Sequence, residues 1–334
     1  MTDSVRNFGA LADGRLVHAV DLAAGDLRAV ILTYGATLQD LRLRGVPWPL
    51  TVGSDRLDAY LGPLCYAGAI AGPVANRLAG AQAMIDGQPF RFEANEGTTC
   101  LHGGATGTSQ ALWTIEAVSP ATVTLGLDLP DGLGGFPGNR RIRATYRIEP
   151  PATLALDLTA TTDAPTLMNL AQHSYWTLDG TGTIAGHRLR VAAARYLPVD
   201  DCGIPTGAAV PVDGTRFDFR EGRSLEARPL YDHTLCLSDG RDTLRDVAWL
   251  TGRSGLCMTL ATTEPGLQVY DGRSLGGGPG AGLDGRPVEP YAGLALEAQG
   301  WPDTPHHPRF PSIVLRPPET YRQRLRLRFA AAGA

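Results

Sequence analysis

Arg141-Ile142-Arg143-Ala144-Thr145-Tyr146-Arg147-Ile148 reads as one half-buried β-strand, with Ile142, Ala144, Tyr146 and Ile148 on one face and the arginines and Thr145 on the other. Glu149-Pro150-Pro151 then marks a turn, after which Leu154, Leu156 and Leu158 resume the same period. Leu41 and Leu43 repeat it beside Arg42 and Arg44, and so do Leu325, Leu327 and Phe329 among Arg324, Arg326 and Arg328. Helical period is nearly absent. Short helices are expected only over Asp55 to Leu61 and Leu225 to Tyr231.

Turn signals fall between these runs: Asp86-Gly87, Ser119-Pro120, Asp131-Gly132 and Asp213-Gly214. With 41 glycines and 25 prolines spread over 334 residues, many turns join many short strands. That predicts an all-β architecture, a sandwich or a barrel. No repeat of fixed length is present. The run Gly276-Gly277-Gly278-Pro279-Gly280-Ala281-Gly282, continuing to Asp284-Gly285, stands apart. As a linker it would leave about 45 residues beyond it, too few for an independent core. The chain is therefore read as a single domain spanning 1–334, and this stretch as a long loop between two strands. Such a loop is either a lid over a site or an insertion without a role.

Composition removes several function classes. All 30 basic side chains are arginine, so a Schiff-base lysine, a pyridoxal phosphate anchor and a Walker-type phosphate loop are excluded. A formal charge of -4 argues against a nucleic-acid partner held by phosphate neutralisation and suits a small neutral ligand. Cys65, Cys100, Cys202, Cys236 and Cys257 are odd in number and lack C-x-x-C spacing, which fits reduced thiols better than disulfides or a zinc knuckle. Met1-Thr2-Asp3-Ser4 carries no signal-peptide pattern, and the apolar stretch from Leu61 to Ala75 is too short and too rich in Gly and Pro to span a bilayer. A cytoplasmic protein with no membrane contact is expected.

Chemistry-bearing residues cluster beside the apolar alternations: Asn76-Arg77, Leu101-His102-Gly103-Gly104, His173-Ser174-Tyr175-Trp176, Tyr231-Asp232-His233 and Leu296-Glu297-Ala298-Gln299. Histidines and carboxylates on one face of a sheet point to proton transfer. Taken singly, His102 could be a bend histidine bonded to backbone, Asn76-Arg77 a strand-end ion-pair site and Asp232 a cap. Glu297 differs, because it follows the apolar run Ala292-Gly293-Leu294-Ala295-Leu296. A carboxylate in a buried strand is costly unless it is paired or chemically employed.

Together these segments resemble the aldose 1-epimerase, or galactose mutarotase, family from about Thr33 to Phe329. The landmarks, in family order, are Gly72-Pro73-Val74-Ala75-Asn76-Arg77, Leu101-His102-Gly103-Gly104, Asn169 to Trp176, Tyr231-Asp232-His233, Thr263 to Tyr270, and Leu296-Glu297-Ala298-Gln299 with Pro302-Asp303. The resemblance implies a large antiparallel β-sandwich (a supersandwich) with the sugar bound on one sheet. It implies Glu297 as the base at the anomeric hydroxyl and His173 as the acid at the ring oxygen. It further implies substrate contacts from Arg77, His102, Asp232, Asn76, Tyr175 and Tyr270, with Trp176 or Trp301 stacking on the sugar. No metal, nucleotide or redox cofactor is implied. The partner is a hexose or pentose monosaccharide, and the working unit a monomer or homodimer. An ionised Glu297 facing a protonated His173 is expected, with the carboxylate raising the histidine.

The chain departs from the family pattern at Pro73, where arginine is common, at Trp176-Thr177, and at Asp271-Gly272-Arg273, where Thr-Gly-Asn is more usual. None of these positions is the acid or the base; all bear on which sugar is accepted. Three rivals stand beside this reading: a glycoside-cleaving enzyme using Asp232 and Glu297, a metal enzyme, and a sugar-binding protein without catalysis. For the metal enzyme the ligands would be His102, His173 and Glu297, or the pair His306-His307. That pair, between Pro305 and Pro308, is more simply a solvent-facing loop.

Overall fold

The computed structural model describes residues 4–278 and 280–331. Pro279 of the glycine-rich loop and the Met1–Asp3 part of the N-terminal reading lie outside them. The alternating runs form antiparallel strands as expected. Arg140–Glu149 pairs with Thr153–Thr162, which pairs with Tyr321–Ala331, at the centre of a nine-stranded sheet. Ile142, Ala144, Tyr146 and Ile148 all point inward, as do Leu154, Leu156, Leu158, Leu325, Leu327 and Phe329. The arginines between them meet carboxylates on the outer face, for example Arg143 with Glu116 and Arg326 with Asp157.

Against this sheet pack a four-stranded meander, Val5 to Leu43, and a six-stranded antiparallel sheet. One core cluster draws on all three: Val20 and Ile31 from the meander, Tyr146 and Leu325 from the large sheet, Leu267, Val269 and Leu296 from the six-stranded one. Each fully buried aliphatic of this kind contributes roughly 1.5–3 kcal/mol. The architecture is a β-sandwich, and among the described residues there is one α-helix, Leu57–Tyr60, which falls inside the predicted Asp55 to Leu61.

The second predicted helix is not formed. Arg223–Ser224 is extended and pairs with Arg188–Val191, and Leu230 adopts φ 57. Pro229 explains this, because it disfavours helical geometry at Arg228 and supplies no N–H. The apolar spacing that suggested a helix instead sends Leu225 and Tyr231 into the core from an extended chain.

Asp86-Gly87 closes the hairpin between Gln82–Ile85 and Gln88–Arg91, with both residues at positive φ. Ser119-Pro120 joins Thr114–Ser119 to Thr122–Leu129. Asp213-Gly214 lies between strands of two different sheets, so it is not a hairpin turn.

Six-stranded sheet order places Tyr175–Trp176, Leu294–Gln299, Gly266–Tyr270 and Asp232–Cys236 side by side. In the register, Tyr175 is opposite Ala295, Ala295 opposite Tyr270, and Tyr270 opposite Asp232; one step along, Glu297 is opposite Gln268 and Gln268 opposite Thr234. Strand period two therefore puts Tyr175, Glu297, Gln268, Tyr270 and Asp232 on one face. Leu296, Leu267, Val269 and Leu235 take the other face, against the core.

Candidate active site

A cavity of about 150 Å³ sits on the polar face of this sheet, lined by Tyr66, Asn76, Arg77, Glu96, His102, His173, Tyr175, Asp232, Tyr270, Ser274 and Glu297 among others. All eight residues expected from the sequence, Glu297, His173, Arg77, His102, Asp232, Asn76, Tyr175 and Tyr270, converge here. A wider polar chamber opens from it past Arg77, Glu96 and Asp232.

His173 and Glu297 form the floor. His173 Nε2 lies 3.6 Å from Glu297 Oε1, and the two side chains are 5% and 2% exposed. The His173 backbone is pinned to Ala69 and Gly68 through its N–H and carbonyl. Among the described residues, His173 Nδ1 and Glu297 Oε2 have no hydrogen-bond partner. Buried polar atoms without partners are costly, so the cavity floor holds two polar atoms with unused bonding capacity.

Electrostatics correct one expectation. Burial drives His173 down to about 4. Burial, with the nearby Asp232 carboxylate, pushes Glu297 up to about 8 against the lowering effect of Arg77. Desolvation dominates, so the histidine is lowered instead of raised. At neutral pH the pair holds one proton, which rests on the carboxyl.

His102 comes from the Leu101-His102-Gly103 turn, which follows the short pairing of Arg77–Leu78 with Cys100–Leu101. Its Nδ1 accepts the Asn76 backbone N–H at 3.2 Å. The lone pair is thus committed, and the neutral ring presents Nε2–H as a donor to the cavity. Burial, then His173, then Arg77 hold His102 well below its ordinary range, which keeps it neutral.

This tautomer bears on metal binding. His102, His173 and Glu297 bring one potential ligand atom each to within 4.8 Å of one another. A metal needs an imidazole lone pair, and the one on His102 points at a backbone N–H. The other metal candidate, His306-His307, lies on an exposed loop as expected, with His306 at the surface and His307 half-buried; His306 Nδ1 lies 2.7 Å from buried Asp303, which also accepts the Ala79 N–H at 2.9 Å. His307 Nε2 stands 3.4 Å from the other Asp303 oxygen, so the two rings share one carboxylate.

Arg77 is held by Glu96, with Nε and Nη2 donating at 2.6 and 2.9 Å, and its Nη1 stands 3.7 Å from Asp232. Gln268 donates to the other Asp232 oxygen at 2.7 Å. Burial raises Asp232, while Arg77 and Gln268 pull it back down. The ion-pair role that the sequence allowed for Arg77 and its place in the site are therefore the same feature.

Three polar residues of the cavity, Tyr66, Glu96 and Ser274, carry no signal in the sequence; Ser274 is bonded to the Tyr270 hydroxyl at 2.6 Å. Tyr66 packs its ring 4.7 Å from His102 and 6.1 Å from His173. Glu96 belongs to the Glu96 to Thr99 turn. Tyr66 lies within the apolar stretch Leu61 to Ala75, where only hydropathy stands out, and nothing near Glu96 separates it from an ordinary surface carboxylate.

Neither tryptophan can stack on a sugar here. Trp176 is one residue out of step with Tyr175, so it faces the core, 6.1 Å from Phe329. Trp301 is buried against Phe310 and donates its indole N–H to Pro265. Aromatic surface in the cavity comes instead from Tyr66, Tyr175 and Tyr270. None of the described residues of the Gly276–Gly285 loop lines it. That loop is tied down elsewhere, through Asp284 to Arg42 and through the Leu283 N–H to Gly53.

The profile described as Aldose 1-epimerase matches residues 18–328. A galactose mutarotase from Rattus norvegicus is 34% identical, over 97% of this chain and 98% of its own. An aldose 1-epimerase from Escherichia coli K12 is 35% identical, over 90% of this chain and 91% of its own. Among solved structures, an aldose epimerase homologue from C. elegans superposes with a TM-score of 0.88 at 29% identity, covering 94% of this chain and 99% of that one. With that match running along nearly the whole sandwich, the chain belongs to the aldose 1-epimerase family of isomerases.

Proposed function

We propose that the protein interconverts the α and β anomers of a free hexose or pentose, with Glu297 as general base and His173 as general acid. The observation that carries this reading is the 3.6 Å approach of His173 Nε2 to Glu297 Oε1 on the cavity floor. The two oxygens that must exchange protons in mutarotation, the anomeric hydroxyl and the ring oxygen, are bonded to one carbon. An acid and a base that serve both must therefore converge at short range.

The pair holds one proton near neutrality, which is the number the reaction needs. In the tautomer that starts the reaction, the Glu297 carboxylate takes the proton of the anomeric hydroxyl. The bond from the anomeric carbon to the ring oxygen breaks, and the His173 imidazolium protonates that oxygen. The product is an open-chain aldehyde, with Glu297 protonated and His173 neutral, the arrangement burial already favours. Rotation about the bond between the first two carbons presents the other aldehyde face, and the transfers run backward to close the ring.

Two positioned proton transfers of roughly 10² to 10⁴ each give about 10⁴ to 10⁸ in rate, on the order of 5 to 11 kcal/mol. The His102 Nε2–H and the Arg77 guanidinium add donors for the ring oxygen and its neighbours. Asp232, with Asn76, Tyr175 and Tyr270, fits the distal hydroxyls. The reading carries a dissolved aldose as partner, a monomer or homodimer as working unit, and the cytoplasm as its place; no helix among the described residues is long and apolar enough to cross a membrane.

Optical rotation, or the anomeric proton signals, of freshly dissolved α-D-galactose, α-D-glucose, xylose and arabinose tests the proposal. Faster approach to an unchanged equilibrium, lost in Glu297→Gln, is the expected result. A Glu297→Gln variant that catalyses as well as the wild type would remove the assigned base.

A further inference from the structure

Tyr231, the residue before Asp232, is held at both backbone polar groups by the residues that follow the Gly266–Tyr270 strand. Its N–H donates to Asp271 Oδ2 at 2.9 Å. Its carbonyl accepts the Asp271 N–H at 3.1 Å and Arg273 Nη2 at 2.7 Å. Asp271 and Arg273 are joined in turn, with Arg273 Nε donating to Asp271 Oδ1 at 3.0 Å and the Arg273 N–H reaching the same oxygen at 3.1 Å.

The arrangement closes on itself. The Asp271 side chain is 0% exposed, and a buried carboxylate needs such a full set of donors. Gly272 turns the chain between the two at φ +70, where an added Cβ would sit 2.5 Å from the Gly293 carbonyl oxygen. Leu230 enters at φ 57, a strained conformation that persists only where its surroundings enforce it. The Tyr231 ring anchors the far side, against Phe217 and Phe219.

We propose that Asp271 and Arg273 are positioning residues that fix Asp232 for the sugar's distal hydroxyls and so set affinity, without entering the proton transfers. Asp232 starts its strand directly after the clamped residue and pairs across to Tyr270, directly before the clamp. Any slack at Tyr231 thus moves Asp232 against Arg77 and Gln268. Glu297 stands on the Leu294–Gln299 strand and His173 between two short strands, pinned to Gly68 and Ala69, so both keep their geometry.

The inference rests on Asp232 as the ligand of distal hydroxyls, and the test separates the two. Initial mutarotation rates and calorimetric binding of galactose are measured for wild type, Arg273→Gln, Asp232→Ala and the double variant. Arg273→Gln is expected to raise KM and Kd about tenfold with kcat within about twofold. In the Asp232→Ala background the same change adds less than about twofold, since the two act as one unit.

Wild-type KM in Asp232→Ala overturns the reading of that residue. Raised KM in Asp232→Ala with wild-type KM in Arg273→Gln overturns the clamp alone, as does a loss confined to kcat or two losses that multiply. Arg273→Lys keeps a charge beside buried Asp271 and loses the guanidinium fork. It gives the same direction of change, at smaller size, if the glutamine variant does not fold.

Discussion

His173 Nε2 and Glu297 Oε1 face each other at 3.6 Å in a buried floor where both are pushed toward their neutral forms. One proton on two groups is the state that works: with two, no base is left, and with none, no acid. Activity should therefore follow a bell in pH. The acid limb falls as pH drops through about 4, where His173 takes its proton while Glu297 keeps its own, and the alkaline limb falls as pH rises through about 8, where Glu297 loses its proton and His173 has none. The limbs belong to the pair. A profile of kcat/KM that is flat from pH 6 to 10 would contradict this assignment.

Glu96 should matter to binding and hardly at all to stability. Its carboxylate is 41% exposed, so the net worth of its pair with Arg77 is roughly 0–1 kcal/mol. The same pair fixes the direction of the guanidinium that reaches toward Asp232. Glu96→Gln is expected to leave the melting temperature within about 2 °C while raising KM by about three- to tenfold. A variant with lowered stability and unchanged KM would make Glu96 a scaffold residue.

How far the site could be read from the sequence follows from period two. His173, Tyr175, Ala295 and Glu297 share odd parity, and the even positions Gln268, Tyr270, Asp232 and Thr234 join them once register is known. Parity within one strand is legible; register between strands is not, because turns and loop lengths set it. The same parity excludes Trp176, although its neighbour Tyr175 lines the cavity. Burial is less legible still. Desolvation reverses the resting charges of His173 and Glu297, and it depends on how deeply the Tyr66 and His102 segments cover the floor. Pro229, by contrast, is legible in the sequence, and its restriction of Arg228 opposes a helix over Leu225 to Tyr231.

Chelation should leave the enzyme fully active. The one described group with metal-ligand spacing includes His102, whose Nδ1 lone pair accepts the Asn76 N–H and whose Nε2 therefore carries hydrogen toward the cavity. A dication at that position would have to break this bond and meet the Arg77 guanidinium nearby. Mutarotation in excess chelator, alongside metal analysis of the protein, checks the point. Loss of activity restored by one divalent metal would reverse the tautomer assignment.

Gly103 sets the aim of His102, and it should tolerate no side chain. Its φ is +87, and a Cβ there would lie 2.1 Å from the Gly72 carbonyl oxygen and 2.6 Å from Pro73 Cδ. Both neighbours belong to the Gly72-to-Arg77 segment that also delivers Asn76 and Arg77, so the clash cannot relax into solvent. His102 itself sits at φ 53, already outside the region side chains prefer. Gly103→Ala is expected to cost about 2–4 kcal/mol, read as a lower urea midpoint at unchanged slope. Whatever folds should also show a raised KM, because displacing the turn breaks the Asn76 N–H bond that orients the imidazole. An alanine variant within about 0.5 kcal/mol of wild type would mean that the two segments can separate, and the donor role of His102 would lose its structural basis.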